Sequence, residues 1–310
     1  MHAETILALV RRMEANPRLG LLQAPLALHG ARTPFARTHQ FAASVYGPVF
    51  MRGLARWAGG HGNYYGHNAI IRVSAFLECC ALPKLRGEPP FGGNILSHDF
   101  VEAALLCRAG WEVRTATDLG GSYEELPPSV VEYVARDRRW CQGNLQHVRI
   151  AMAEGLAPMS RIHMAVGVAA YLVGPIWLAF VALGAVLASV RGAPLVDGGV
   201  ATALSVFAAA MLLGPRIVGL VDALRDDERR RVHGGGFALT LGVVFEALSS
   251  VLLAPILMLH HARIVVSIVL GNAVMWGAQS RRSGTGPMAI VRSELPTTVI
   301  GLATAALCAT

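Results

Sequence analysis

Apolar and polar positions along the chain follow a helical period, then a strand period, and past the middle the polar positions almost vanish. Ile6, Leu7, Leu9, Val10 and Met13 recur at helical spacing and Pro17 ends the run, which predicts a helix from His2 to Asn16. LGLLQAPLAL, bounded by Gly20 and Pro25, predicts a short buried strand. Phe41, Val45, Phe50, Leu54 and Trp57 predict a helix over residues 36–58. In GGHGNYYGHNAIIRVSAFLECC, glycines and aromatics give way to an apolar strand and a short helix, the way α/β enzymes often build a site at a strand end. After a Pro/Gly loop from Pro83 to Gly93, ILSHDFVEAALLCRAGW predicts an amphipathic helix running to Gly110, with Ser97 as N-cap. VEYVARDRRWCQGNLQHVRIAMAEG predicts a further, Arg-bearing helix.

Beyond Pro158 the pattern is that of a membrane. Met164 to Val190 carries no charge, and about 20 helical residues suffice to cross a hydrocarbon core of about 30 Å. Gly198 to Gly214 is a second uncharged run, ending at Pro215, and should form a hairpin with the first. The next segment, near 215–235, carries Arg216, Arg225, Arg229, Arg230 and Arg231. By the positive-inside rule it is a cytoplasmic loop, in agreement with Arg161 before the first span. Its VDALRDDERRR stretch is amphipathic and should lie at the membrane interface. Phe237 to Leu259 reads as a third span with Glu246 inside it. An ionisable group in a span is costly and often functional, but this one is near enough to the cytoplasmic end to reach the interface or a neighbouring helix. HHAR at 260–263 precedes Ile264 to Gln279, a span or an interfacial helix, and LPTTVIGLATAALCAT is short for a span.

Composition sharpens this division. The chain is 54% hydrophobic and 15% charged, with mean hydropathy +0.47, against about a quarter charged in ordinary soluble proteins. Disorder, collagen and a small disulfide scaffold are excluded. Residues 1–158 hold 16 of the 27 basic and 13 of the 20 acidic residues and read as soluble; residues 159–310 read as membrane. The net charge of +7 is divided as +3 and +4 between these parts rather than gathered in a stripe, so a bilayer explains it better than nucleic acid. Cys79, Cys80, Cys107, Cys141 and Cys308 have neither zinc-site spacing nor an even count, and read as reduced or buried thiols. The first residues lack the basic-then-apolar order of a signal peptide, which leaves the soluble part in the cytosol.

Three clusters in the soluble part can carry chemistry. In Gly62–Asn68, leading to Ala69-Ile70-Ile71-Arg72, Tyr65 would stack on a sugar while His67 and Asn68 hydrogen-bond it; the same glycines equally suit a plain turn entering a strand. In Ser97-His98-Asp99, the carboxylate at a helix start beneath a cleft can take a proton from an attacking hydroxyl, with His98 as its neighbour. Asp99 is also the acid a helix N-terminus favours for its dipole alone. In Arg136-Asp137-Arg138-Arg139-Trp140-Cys141-Gln142-Gly143-Asn144, the indole offers a flat face to a sugar and the guanidinium forks suit phosphate oxygens. A basic run beside a membrane is equally a solvated surface.

GNYYGHNAIIR, ILSHDFVEAAL, DLGGSYEELPPS and RDRRWCQGNLQH, in that order and followed by a membrane hairpin, resemble the processive family 2 glycosyltransferases of the bacterial inner membrane, in particular those that make osmoregulated periplasmic glucans. The resemblance covers nearly the whole chain. It implies the C-terminal part of a GT-A type α/β domain on the cytoplasmic side, followed by transmembrane helices. It further implies UDP-glucose as donor, a β-1,2-glucan chain as acceptor and product, an inverting displacement, and a partner that processes the glucan in the periplasm. By the family pattern Asp99 is the catalytic base, within Ser97-His98-Asp99. Arg139 and Trp140 match the end of the Q-x-x-R-W motif, which binds the acceptor end and the donor diphosphate; Gln142 lies beside them, and Arg136 replaces the motif's Gln.

The family also implies a divalent metal, Mg or Mn, held by aspartate motifs that this chain does not contain. On that reading the chain begins inside the domain, ends inside a span, binds UDP-glucose weakly or not at all by itself, and is inactive alone. Two alternatives differ in class. A cellulose- or hyaluronan-type synthase is disfavoured by GNYYGHN and RDRRWCQGN, whereas a non-catalytic export or scaffold component draws support from the missing aspartates.

Overall fold

The computed structural model describes residues 1–191, 196–272, 288, 291–292 and 294–299. Helix α1 (Ala3–Ala15) leads into strand β1 (Leu19–Gln23), whose five residues are all buried. β1 ends before Pro25, the expected boundary, and the apolar residues beyond it form a second strand. The chain resumes as β2 (Ala27–His29), which pairs in parallel with β5 (Tyr123–Glu125) in a separate two-stranded sheet. Proline has no N–H to give a ladder, so one apolar run becomes two strands in two sheets.

β1 lies at the centre of a three-stranded sheet, antiparallel to β3 (Ala69–Ile71) and parallel to β4 (Glu112–Thr115). Leu9 and Met13 of α1 pack on Leu19 and Leu22 from one side. From the other, Ala103, Leu106 and Cys107 of α4 (His98–Arg108) close on Leu21 and Val113. The sheet thus has one helix on each face, and the loops at the strand ends meet above it.

Helix α2 (Pro34–Ala58) begins two residues earlier than its apolar period suggests, because Thr33 Oγ1 accepts from Ala36 N at 3.2 Å and Pro34 occupies the first turn. α3 (Val73–Cys79) follows β3 directly. α4 departs from expectation: Val101 to Cys107 are all buried, so the helix is enclosed rather than amphipathic, with the sheet on one side and Met164 and Leu156 on another. Ser97 is its N-cap residue by position, but its hydroxyl makes no capping bond. α5 (Val130–Ile150) is capped by Ser129, whose hydroxyl accepts from Glu132 N.

Among the described residues three helices are long and apolar enough to cross a membrane: α6 (Pro158–Arg191), α7 (Gly198–Arg225) and α9 (Gly236–Val269). α7 corrects the expected loop near 215–235, since it continues through Pro215 to Arg225 and is followed by α8 (Asp227–Val232). A proline removes one backbone bond, which a helix packed on neighbours tolerates. Three arginines of this segment, Arg229, Arg230 and Arg231, serve the fold. Arg229 binds Asp222 at 2.7 Å and donates to the carbonyl of Val45, while Arg230 binds Asp227 and Arg231 the carbonyl of Asp227.

HHAR at 260–263 does not interrupt α9, which extends to Val269. Residues 273–279 and 300–310, including Cys308, lie outside the described residues. Cys79, Cys80, Cys107 and Cys141 are free thiols, and burial pushes Cys80 and Cys141 up to about 12.

Candidate active site

The loop before β3 and the start of α4 converge. Gly66 (φ +83°) lies so close to Asp99 that a Cβ would stand 3.1 Å from Oδ2, and Asn68 (φ 53°) continues the left-handed turn. Two bonds at the end of β1 hold this loop. Tyr65 N donates to the buried Gln23 Oε1 at 2.9 Å, and Ala24 N donates to Asn68 O at 3.0 Å. The Tyr65 ring meets Phe100 edge-on at 6.2 Å, and His67 Nε2 stands 3.4 Å from Glu124 Oε2.

Asp99 is half-buried in this junction. Burial raises its carboxyl above the usual aspartate range, opposed by the Phe100 amide and by the nearby His98 and His67. His98 turns to Glu102, with Nδ1 3.0 Å from Oε1, rather than to Asp99, and burial likewise raises the Glu102 carboxyl. The expected role of His98 as direct neighbour is thus one of nearby charge and not of hydrogen bonding.

α5 holds this helix start in place. Arg136, Trp140, Gly143 and His147 fall at i, i+4, i+7 and i+11, one stripe of a helix. A Cβ on Gly143 would stand 2.7 Å from Ser97 N, so only glycine lets α5 approach this closely. His147, fully buried, donates from Nε2 to Ser97 O at 3.0 Å and stacks on Phe100 at 5.3 Å. Burial lowers its pKa, so the ring is neutral at pH 7. The second face of α5 grips the preceding loop: Gln146 accepts from Leu96 N and donates to Asn94 O, and Arg149 donates to Arg86 O. Gln142 belongs to that face. It is buried, and its amide donates to Pro90 O at 3.3 Å, so it is placed against the loop and not in the cleft.

Trp140 remains 43% exposed, and Arg136 lies over its ring at 4.4 Å and over Tyr133 at 5.3 Å. Arg139 is half-buried on the same helix. The structure therefore brings Tyr65, His67, Asn68, Ser97 and Asp99 together at one junction, with Trp140 one helical turn from the Gly143–Ser97 contact. The residues that escaped sequence reasoning are Gly143 and His147. Their signal was present in QGNLQH, at helical spacing from Trp140.

Among the described residues no group of three or more His, Cys, Asp and Glu side chains could hold a metal ion. The divalent metal that the resemblance implies finds no such donor group among the described residues.

The family model described as glycosyl transferase family group 2 matches residues 1–220, which includes the loop, Asp99 and the whole of α5. This chain belongs to that family. Members of glycosyl transferase family group 2 generally use a divalent metal. Among the relatives of this family-2 chain, the glucans biosynthesis glucosyltransferase H of Shewanella sp. (strain ANA-3) is 46% identical over 93% of this chain. The proteins of the same name from Shewanella baltica (strain OS223) and Shewanella oneidensis are each 45% identical over the same share. The chain spans 42% of the length of each.

Proposed function

We propose that this chain carries the acceptor-binding and proton-accepting side of a glucosyltransferase that extends a glucan. The observation that carries the reading is Asp99: a half-buried carboxylate with a raised pKa, at a helix start, against a glycine loop. On this reading residues 1–158 hold the chemistry on the cytoplasmic side and residues 159–310 hold the inner membrane. The Arg-rich segment between α7 and α9 supports that orientation.

The reaction would be one inverting displacement. Asp99 accepts the proton of the acceptor hydroxyl as its oxygen attacks the anomeric carbon of UDP-glucose, and the bond to the diphosphate breaks. Arg139 would hold the diphosphate oxygens. Arg136 covers one face of the Trp140 ring, and the terminal glucose would stack on the other. Tyr65, His67 and Asn68 would line the acceptor. Ser97 serves through its backbone, held by His147, and Gln142 through the loop it binds. The names of the relatives support glucose and a glucan as substrate and product; a β-1,2 linkage and delivery to a periplasmic processing partner belong to the same proposal.

The test is transfer of labelled glucose from UDP-glucose by a full-length protein that contains this segment, in membranes of a host that lacks its own glucan synthase. A 1,2-linked product that disappears in Asp99→Asn, with UDP-glucose binding unchanged, is expected. Synthesis retained in Asp99→Asn would remove Asp99 as base, another linkage would favour a cellulose- or hyaluronan-type synthase, and no transfer by the unaltered full-length protein would favour a non-catalytic membrane component.

A further inference from the structure

α9 has the length and composition of a membrane span, yet both of its ends rest on the α/β part of the molecule. Near its start Leu239 and Val243 pack on Val45 of α2, a Cβ on Gly242 would stand 2.6 Å from the Phe41 ring, and Glu246 accepts from Tyr46 of α2 at 2.8 Å. Near its end Ile264, Val265 and Ile268 pack with Cys141 and Leu145 of α5, and His261 Nε2 meets Asp137 Oδ2 at 2.8 Å.

At 1.5 Å per residue, Val243 and Val265 lie about 33 Å apart along the helix, slightly more than the hydrocarbon core of about 30 Å. A perpendicular α9 would therefore put α2 and α5 on opposite sides of the bilayer. Residues 34–150, which run from α2 to α5, contain none of the candidate spans, so α2 and α5 share one side.

We propose that α9 does not cross the membrane but lies along its surface as an interfacial helix, clamped at both ends to the α/β part and resting on lipid. Its outward side suits that partner. Leu241, Val244, Phe245, Leu248, Val251 and Leu252 are exposed at helical spacing. Glu246 turns inward to Tyr46 and Arg216, His260 is buried and His261 meets Asp137, while Arg263, near the far end, is exposed. Among the described residues α6 and α7 then form the crossing hairpin: α6 starts and α7 ends against the α/β part, and the stretches between them are exposed and apolar. Glu246 is on this view a docking residue of a surface helix, which removes the cost of a carboxylate in mid-bilayer.

Single cysteines tested with a membrane-impermeant maleimide on intact spheroplasts and on inverted vesicles decide the matter, with the unsubstituted chain as background. Val196→Cys marks the turn between α6 and α7, Val232→Cys marks α8, and Leu270→Cys marks the far end of α9. Leu270→Cys should label in the preparation that labels Val232→Cys and not in the one that labels Val196→Cys. Labelling together with Val196→Cys, or in neither preparation, overturns the proposal. Val269→Cys reports the same end if Leu270→Cys does not accumulate.

Discussion

Burial raises the Asp99 carboxyl, and the sign of that shift sets its pH behaviour. A base must be ionised to accept a proton, so the rate of glucosyl transfer should rise with pH through the raised value, above the ordinary aspartate pKa of about 4. A pH–rate profile checks this, and an acid limb at the ordinary value would contradict it. Stability should move the opposite way. With the folded pKa above the unfolded one, the unfolded chain ionises first, so stability falls as pH rises from the unfolded through the folded value. Asp99→Asn, which cannot ionise, should raise the thermal midpoint at pH 7 while abolishing transfer, and should gain little in acid. A lower midpoint at pH 7 would show that Asp99 supports the fold instead of opposing it.

At the scale of elements, the approach of α5 to α4 depends on Gly143. Gly143→Ala would set a Cβ against the Ser97 backbone, and overpacking of this kind costs typically about 1–3 kcal/mol. Gly53, inside α2, has nothing within 4 Å of its would-be Cβ. Gly53→Ala should therefore stabilise by about 1 kcal/mol through helix propensity alone. Opposite shifts of the unfolding midpoint in detergent are expected, and equal shifts would deny the close contact its role. These elements also show what the sequence can disclose. Pro17 closing α1, the apolar periods of α2 and the uncharged core of α6 follow from local chemistry and stand where the pattern puts them. Pro25 bounds β1 as the pattern puts it, whereas Pro215 misled, because a proline ends a strand pairing outright but costs a packed membrane helix one bond. Asp99 was legible as an acid at a helix start. Its setting was not, because Gly66, Gly143 and His147 reach it through contacts between distant segments.

Across the whole molecule, α2, α7 and α9 meet at Glu246. Its carboxylate accepts from Tyr46 at 2.8 Å, from Arg216 Nε at 3.0 Å and from Ser250 at 2.6 Å. Arg216 is one-quarter exposed and Glu246 almost enclosed, so removing one partner leaves a charge that water reaches only in part. Losing one member of a buried pair costs about 3–5 kcal/mol, whereas replacing both by apolar side chains of similar size is often neutral. The exposure of Arg216 places Glu246→Leu toward the low end of that range. Glu246→Leu should thus lower the unfolding midpoint more than the double variant Glu246→Leu/Arg216→Leu, and Tyr46→Phe, which loses one hydrogen bond to a charged group, should cost about 1.5–3 kcal/mol. Because the three partners come from three helices, the loss should also expose the start of α2 to protease before global unfolding. Additive costs in the double variant would mean that the pair is not coupled and that apolar contacts such as Phe41 on Gly242 hold α9 to α2 by themselves.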